Sequence, residues 1–172
     1  MYQMIEHSKW LRETFPVSFD LIGEIMKSGI LYLCGRDIMY RPVIILNVRK
    51  IINGKFSEDS LNAVAAFFFT FVEKKFLIPG RVENWIMIID LNDVGMMNLP
   101  MKRIEAVGKM VQRHFAGRLF RQFVINMGFM LRKSSSLFLN FLDEASQLKI
   151  NLHNDKTYKR ELLKLIAPNN LE

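Results

Sequence analysis

Apolar residues along this chain come in short dense runs separated by charged, turn-forming stretches, and the spacing inside each run assigns it. "ILYLC" at 30–34 and "VIILNV" at 43–48 show little alternation, which fits strands buried on both faces. "WIMIIDL" at 85–91 is the clearest buried strand, and "RQFVINM" at 121–127 and "LKINL" at 148–152 complete the set. Helical patterns fill the intervals. Residues 1–29 predict short helices, one opened by Pro16, running to about Ser28 and closed by Gly29. Ser57, followed by Glu58 and Asp59, caps a helix to about Lys75. Its "AVAAFFFTFV" is apolar nearly all round, so it belongs inside the protein. "LPMKRIEAVGKMVQRHF" is an amphipathic helix with Ile104, Val107, Val111 and Phe115 on one side. Residues 131–147 read as a helix with an uncharged run from Ser134 to Leu142. Asp155 caps a last helix to about Ala167, stopped by Pro168.

Strands alternating with helices predict an α/β fold with a largely parallel sheet. One junction is unusual: "LCGRDIMYRPVIILNVRK" packs Arg36, Asp37 and Arg41 immediately before a greasy strand. It reads as a corner in which Gly35 turns, Asp37 pairs with Arg36 or Arg41, and Pro42 fixes an extended start. No internal repeat, low-complexity tract or long linker interrupts the pattern.

Composition narrows the class. Half of the 172 residues are hydrophobic, which excludes disorder. The 14 Phe and 11 Met either fill a core or line an apolar cavity, where Met adapts to irregular shapes. The only cysteine, Cys34, rules out an intrachain disulfide and a Cys-rich zinc site. No run is apolar for the roughly 18 residues of a membrane span, and "MYQMIEHSKW" has no apolar core of a signal peptide. A cytoplasmic protein is expected.

Catalytic signatures fail: there is no phosphate-binding loop, no G-x-G-x-x-G after a strand and no G-x-S-x-G elbow. His7, His114 and His153 are far apart, so no metal site is expected, and His114 reads as a half-exposed helix residue. Asp90, at the carboxyl end of a buried strand, is either a turn-capping group or the centre of a polar enzymatic cleft. Charge is more telling. The net charge is +7, and residues 101–133 carry the same excess: Lys102, Arg103, Lys109, Arg113, Arg118, Arg121, Arg132 and Lys133 against Glu105 alone. A solvated helix face accounts for such a window. So does an anionic membrane surface, because an uncharged apolar helix follows at once. Nucleic acid is not expected, since aromatic interleaving is missing.

Four stretches in order resemble the CRAL-TRIO domain, the lipid-binding fold of phosphatidylinositol/phosphatidylcholine transfer proteins and of tocopherol- and retinal-binding proteins. "GRDIMYRPVIIL" is similar to the family's G-x-D-x-x-G-R-P-V, with Tyr40 where glycine is usual. "WIMIIDLNDVG" resembles its strand ending in D-[LM]-x-G, with Gly95 late. "RQFVINMGFML" resembles its I-N-x-P strand, with Gly128 near the proline position. "LDEASQLKINL" and "ELLKLIAPNNLE" resemble its L-x-x-x-T-x-x-K-I and last helix. The likeness spans residues 29–172, and residues 1–28, with "KWLRETFP", look like the remnant of the family's helical N-terminal lobe. Members usually continue past the point where "NNLE" ends, so the sequence is read as open to truncation there.

The resemblance implies a mixed, largely parallel sheet flooring an apolar lipid pocket, covered by helices and a gate helix. The gate falls at about 129–147, with Leu131, Leu137, Phe138, Phe141 and Leu142 facing lipid or membrane. Headgroup residues carry over to Lys149, to Ser146 at the family's threonine, and to Arg118 beside the family's glutamate, which is Gly117 here. The family's choline-binding Ser/Thr pair falls on Trp85 and Met87, which become pocket residues. The implied function is non-enzymatic binding of a hydrophobic lipid by a monomer. Transfer between membranes would proceed by gated exchange during transient membrane contact, without a cofactor. A phospholipid such as phosphatidylinositol is the expected cargo. A dry carrier is needed because exposing acyl chains costs about 0.8 kcal/mol per methylene. The rival reading is a protein-interaction module of the same fold, of the small GTPase-binding type, without lipid transfer.

Overall fold

Dense aliphatic runs that bury both faces need cover on two sides, and the fold supplies it. The structure is a computed structural model that describes residues 2–129, 133, 147–152 and 157–170. Strands β1 (Leu31–Arg36), β2 (Pro42–Asn47), β3 (Trp85–Asp90), β4 (Leu119–Ile125) and β5 (Ile150–Leu152) form one sheet in sequence order. β1 and β2 run antiparallel and the other pairings are parallel, with Met87 opposite Ile44 on one side and Gln122 on the other. The sheet is therefore mixed and largely parallel, as the alternation of elements predicts. The helices are α1 (Tyr2–Thr14), α2 (Phe19–Lys27), α3 (Val48–Gly54), α4 (Glu58–Phe76), α5 (Met101–His114) and α6 (Thr157–Leu163).

Strand order and handedness decide which side the helices take. Right-handed crossovers from β2 through α4 to β3, and from β3 through α5 to β4, put both helices on one face. There Leu61, Val64, Phe68 and Phe69 of α4 meet Ile44, Trp85 and Met87 of the sheet, with Val107 and Val111 of α5 alongside. On the other face Val43, Ile86, Ile88 and Phe123 pack under Leu162 of α6 and Ile166. A third cluster of Val48, Leu91, Val94, Val124 and Met127 seals the carboxyl ends of the strands.

Several boundaries differ from the sequence expectation. β2 stops at Asn47, whose side chain accepts from the Lys50 amide at 3.2 Å and caps α3, and Lys55 ends that helix in the left-handed region (φ 50°). The apolar run of β2 continues into Val48 and hides this helix in the sequence. α2 starts at Phe19 rather than Pro16, because Ser18 is still extended. β1 extends to Arg36, with its register broken between Leu33 and Arg36 where Gly35 takes a positive φ. β4 begins two residues early at Leu119, and β5 is confined to Ile150–Leu152. Of the helix expected at 131–147, only Lys133 and Gln147 are among the described residues.

The charged corner is a closed hydrogen-bond system. The Asp37 carboxylate is fully buried and accepts from the Met39 amide (2.9 Å), the Arg41 amide (2.7 Å) and the Arg41 guanidinium (3.0 Å). Arg41, not Arg36, is thus its partner, and Arg41 also lies 3.5 Å over the Phe120 ring. Arg36 instead bonds the Tyr40 and Phe76 carbonyls. Asn170 closes the corner from the far end of the chain, donating to the Arg36 carbonyl and accepting from the Cys34 thiol. Gly35, with φ of 78°, is required here: a Cβ would sit 3.0 Å from the Asn170 side chain.

Helix α1 docks on the end of α5. The Trp10 indole stacks on the His114 ring at 4.0 Å and 10°, and His7 lies edge-on to Phe115. Glu6 pairs with Arg113 at 2.8 Å, and His7 approaches Glu73 at 4.0 Å. Among the described residues, the buried Nδ1 atoms of His7 and His114 have no hydrogen-bond partner. Burial lowers the His114 pKa, His7 and Arg113 lower it further, and Glu6 opposes them. A lowered histidine pKa means that the unfolded chain takes the proton first as pH falls. Stability is therefore lost below the ordinary imidazole range and is intact above it.

Two outcomes follow. Thermal unfolding midpoints should drop between about pH 7 and pH 5, and His114→Gln should flatten that dependence; an unchanged slope in the variant would exclude His114 as its source. Tyr40 is exposed and held at φ 63°. Tyr40→Gly should therefore raise stability by about 0.5–1 kcal/mol in denaturant titration.

Candidate functional site

The helix-covered face of the sheet is not filled. A cavity of about 400 Å³ lies between it and α4 and α5, within the range of small-molecule pockets. Its floor is Leu46, Trp85, Met87, Ile89 and Gln122 of β2, β3 and β4. Its roof is Leu61, Val64, Ala65 and Phe69 of α4 and Arg103, Ile104, Val107, Val111 and Phe115 of α5, with Ile30, Leu31 and Ile51 at the side. Small residues in the wall, Ala65, Gly108 and Ala116, leave space where larger ones would close the layer. A smaller void of about 40 Å³ adjoins it, sharing Leu46, Ile89, Ile104 and Gln122 and reaching Ile150.

Polar groups on this wall are few: Arg103, Gln112, Gln122 and Lys149. Among the described lining residues there is no carboxylate. The Gln122 amide donates to the Lys149 carbonyl at 2.9 Å, which ties the start of β5 to the cavity floor. Gly117 is in the wall at φ 78°, and a Cβ there would meet nothing within 4 Å.

Of the residues picked from sequence, Trp85, Met87 and Lys149 line the cavity. Arg118 does not. Its guanidinium bonds Glu73 of α4 at 2.9 Å and 3.0 Å and the Glu83 carbonyl at 3.1 Å, bracing α4 to the β4 approach. Ser146, Leu131, Leu137, Phe138, Phe141 and Leu142 lie outside the described residues. Asp90 accepts from the Asn92 amide (2.9 Å) and the Asn126 side chain (2.8 Å), holding the turns after β3 and β4. Two pKa values rise elsewhere. Burial raises both Tyr32 and Cys34, and Tyr32 is pushed further by Cys34 and Asp90; neither lines the cavity. Sequence reasoning missed Arg103 as a wall residue. The signal was present: Arg103 lies four residues before Val107 and eight before Val111, on the apolar stripe of α5.

Among curated proteins, none matches this sequence. The crystal structure of Sfh5 is similar in fold, with a TM-score of 0.70 at 16% identity over 90% of this chain. The chain spans 58% of the length of that structure. A family model for the CRAL/TRIO domain matches residues 26–172, from the end of α2 across every strand. With that match over most of its length, the chain belongs to the CRAL/TRIO domain family.

Proposed function

We propose that this protein binds a hydrophobic lipid in the cavity and carries it between membranes by exchange at their surfaces, without chemical change to the cargo. The carrying observation is a cavity of about 400 Å³ with largely apolar walls. A binding module that only docks proteins has no use for such a space, because empty apolar volume forfeits packing energy. Family membership supports the general reading, since CRAL/TRIO domains are lipid-binding domains.

The cargo on this reading is a phospholipid, phosphatidylinositol first, with Lys149 at the headgroup. Leu148, beside Lys149 and 90% exposed, suits contact with a membrane at the cavity. Lys102 on α5 is exposed as well and favours an anionic surface. Contact is transient, and the protein works from the cytoplasm as a monomer. No helix among the described residues is long and apolar enough to cross a membrane. Arg118 is assigned a bracing role rather than a headgroup role, because Glu73 and Glu83 already occupy its donors.

Transfer of labelled phosphatidylinositol from donor to acceptor vesicles tests the proposal. The wild-type protein should accelerate it, and Ala65→Phe, which projects from α4 into the cavity, should reduce it about tenfold or more with the thermal midpoint retained. Equal transfer by the filled variant would contradict the proposal. Arg118→Ala should cost about 1–2 kcal/mol of stability, because Glu73 loses its partner. A loss of headgroup selectivity at unchanged stability would instead return Arg118 to the binding site.

A further inference from the structure

Resting on the membrane-contact half of the carrier reading, and not on which cargo the cavity holds, we infer that the β1–β2 corner and the turn after α4 form a preorganised foot that inserts into an anionic lipid surface. Topology puts the parts together. β2, β3, β4 and β5 run parallel, so the segments that lead into them emerge on one rim of the sheet. Leu148 precedes β5 on this rim, and two tight turns precede β2 and β3. The first is closed by the Asp37 amide donating to the Arg41 carbonyl at 2.9 Å, the second by the Ile78 amide donating to the Val82 carbonyl at 2.8 Å. Arg36 clamps the first turn to the chain entering the second. Its guanidinium donates to the Tyr40 carbonyl and, at 3.1 Å, to the Phe76 carbonyl, and it lies 5.6 Å over the Phe76 ring. The Phe71 ring is 5.6 Å from that of Phe76, which extends the apolar surface onto α4.

These turns end in apolar side chains. Ile38 is 61% exposed, Met39 60% and Tyr40 70%, and Phe71 and Ile78 are exposed as well. Tyr40 is the telling residue. Its backbone is in the left-handed region (φ 63°), which glycine enters freely and a large aromatic residue does not, and its side chain gains no burial in return. Strain held at an exposed side chain points to a use outside the folded core. Tyrosine suits a membrane interface, where the ring is apolar and the hydroxyl stays among the headgroups. Charge selects the occupant. Lys74 and Lys75 at the end of α4 and Arg81 in the second turn are exposed, and among the described residues none of the three is in an ion pair. The acids nearest in sequence are engaged: Asp37 is buried on Arg41, Glu73 bonds Arg118, and Glu83 accepts from the Gly80 amide at 3.1 Å. Apolar tips flanked by open cations fit a surface that is anionic at its headgroups and apolar beneath. A stable protein interface draws on about 20–30 residues a side, against the handful of tips here. Because Asp37 and Arg36 already fix the corner, insertion orders little that was loose.

The test is flotation of the full chain with phosphatidylcholine vesicles, alone or with phosphatidylserine at about a third of the lipid. The wild-type protein should float with the mixed vesicles about tenfold better than with phosphatidylcholine alone. Tyr40→Gly should lower binding to mixed vesicles about threefold to tenfold while its thermal midpoint rises, and Met39→Ser should lower binding too. Lys74→Gln combined with Lys75→Gln should remove most of the preference for phosphatidylserine. Met97→Ser, more exposed still but beyond the opposite end of β3, should change neither reading. An environment-sensitive dye on Met39→Cys, with Cys34→Ser to leave one thiol, should shift to the blue when mixed vesicles are added. No flotation, an unshifted dye, or equal losses from Met97→Ser and Met39→Ser would overturn the foot. Vesicle binding untouched by the Tyr40, Met39 and lysine variants would overturn it as well and assign the turns to a protein partner. Bound lipid, read on the native mass in parallel, separates the two readings. Vesicle binding through the foot without any lipid uptake would overturn the carrier reading alone, and lipid uptake with a dye that never meets the bilayer would overturn the foot alone.

Discussion

Burial of β3 on both faces is the constraint from which the rest follows. Trp85, Met87 and Ile89 point one way and Ile86 and Ile88 the other, and none of these strand positions can be left to water. One face is closed solidly by α6 and Ile166. The other must be closed by the crossover helices, and both crossovers arrive on that same side because the strands run in sequence order. α4 and α5 meet the sheet through large side chains at some positions and Ala65 or Gly108 at others. The layer is thus held open rather than collapsed, and the protein can be at once well buried and hollow.

A cavity of this kind needs a rigid frame, and the frame is built from contacts distant in sequence. Asp37 locks the β1–β2 corner by taking three donors from Met39 and Arg41, and Asn170 bolts that corner to the end of the chain. Arg118 ties α4 to the start of β4. The stack of Trp10 on His114 ties α1 to the end of α5, next to Phe115, which itself lines the cavity. These are polar and aromatic clasps at the rim of an apolar layer, so they fix its shape without filling it.

Much of this was legible in the residues. Strand β3, the Ser57 cap of α4 and the stripe of α5 need only period and capping rules, and each is found where those rules put it. The corner was legible as a corner, though the choice between Arg36 and Arg41 required the fold. Tyr40 at φ 63° gives a reason why glycine suits that place in the family pattern. Less was legible where chain neighbours mislead. α3 hides because Val48 prolongs an aliphatic run, and its cap, Asn47, looks like an ordinary strand residue. Arg118 sits beside a family motif position, yet its partner Glu73 is 45 residues away. Arg103 was counted with the surface charges because a cation is expected to face water, whereas its long stem reaches the cavity from the apolar stripe.

The central claim is that the hollow face of the sheet holds a lipid, and the mass of the protein as purified under native conditions tests it most directly. The account predicts a complex heavier than the 172-residue chain by the mass of a lipid, which organic extraction removes and recovers. A protein that shows only its bare chain mass, before and after incubation with vesicles, would contradict it.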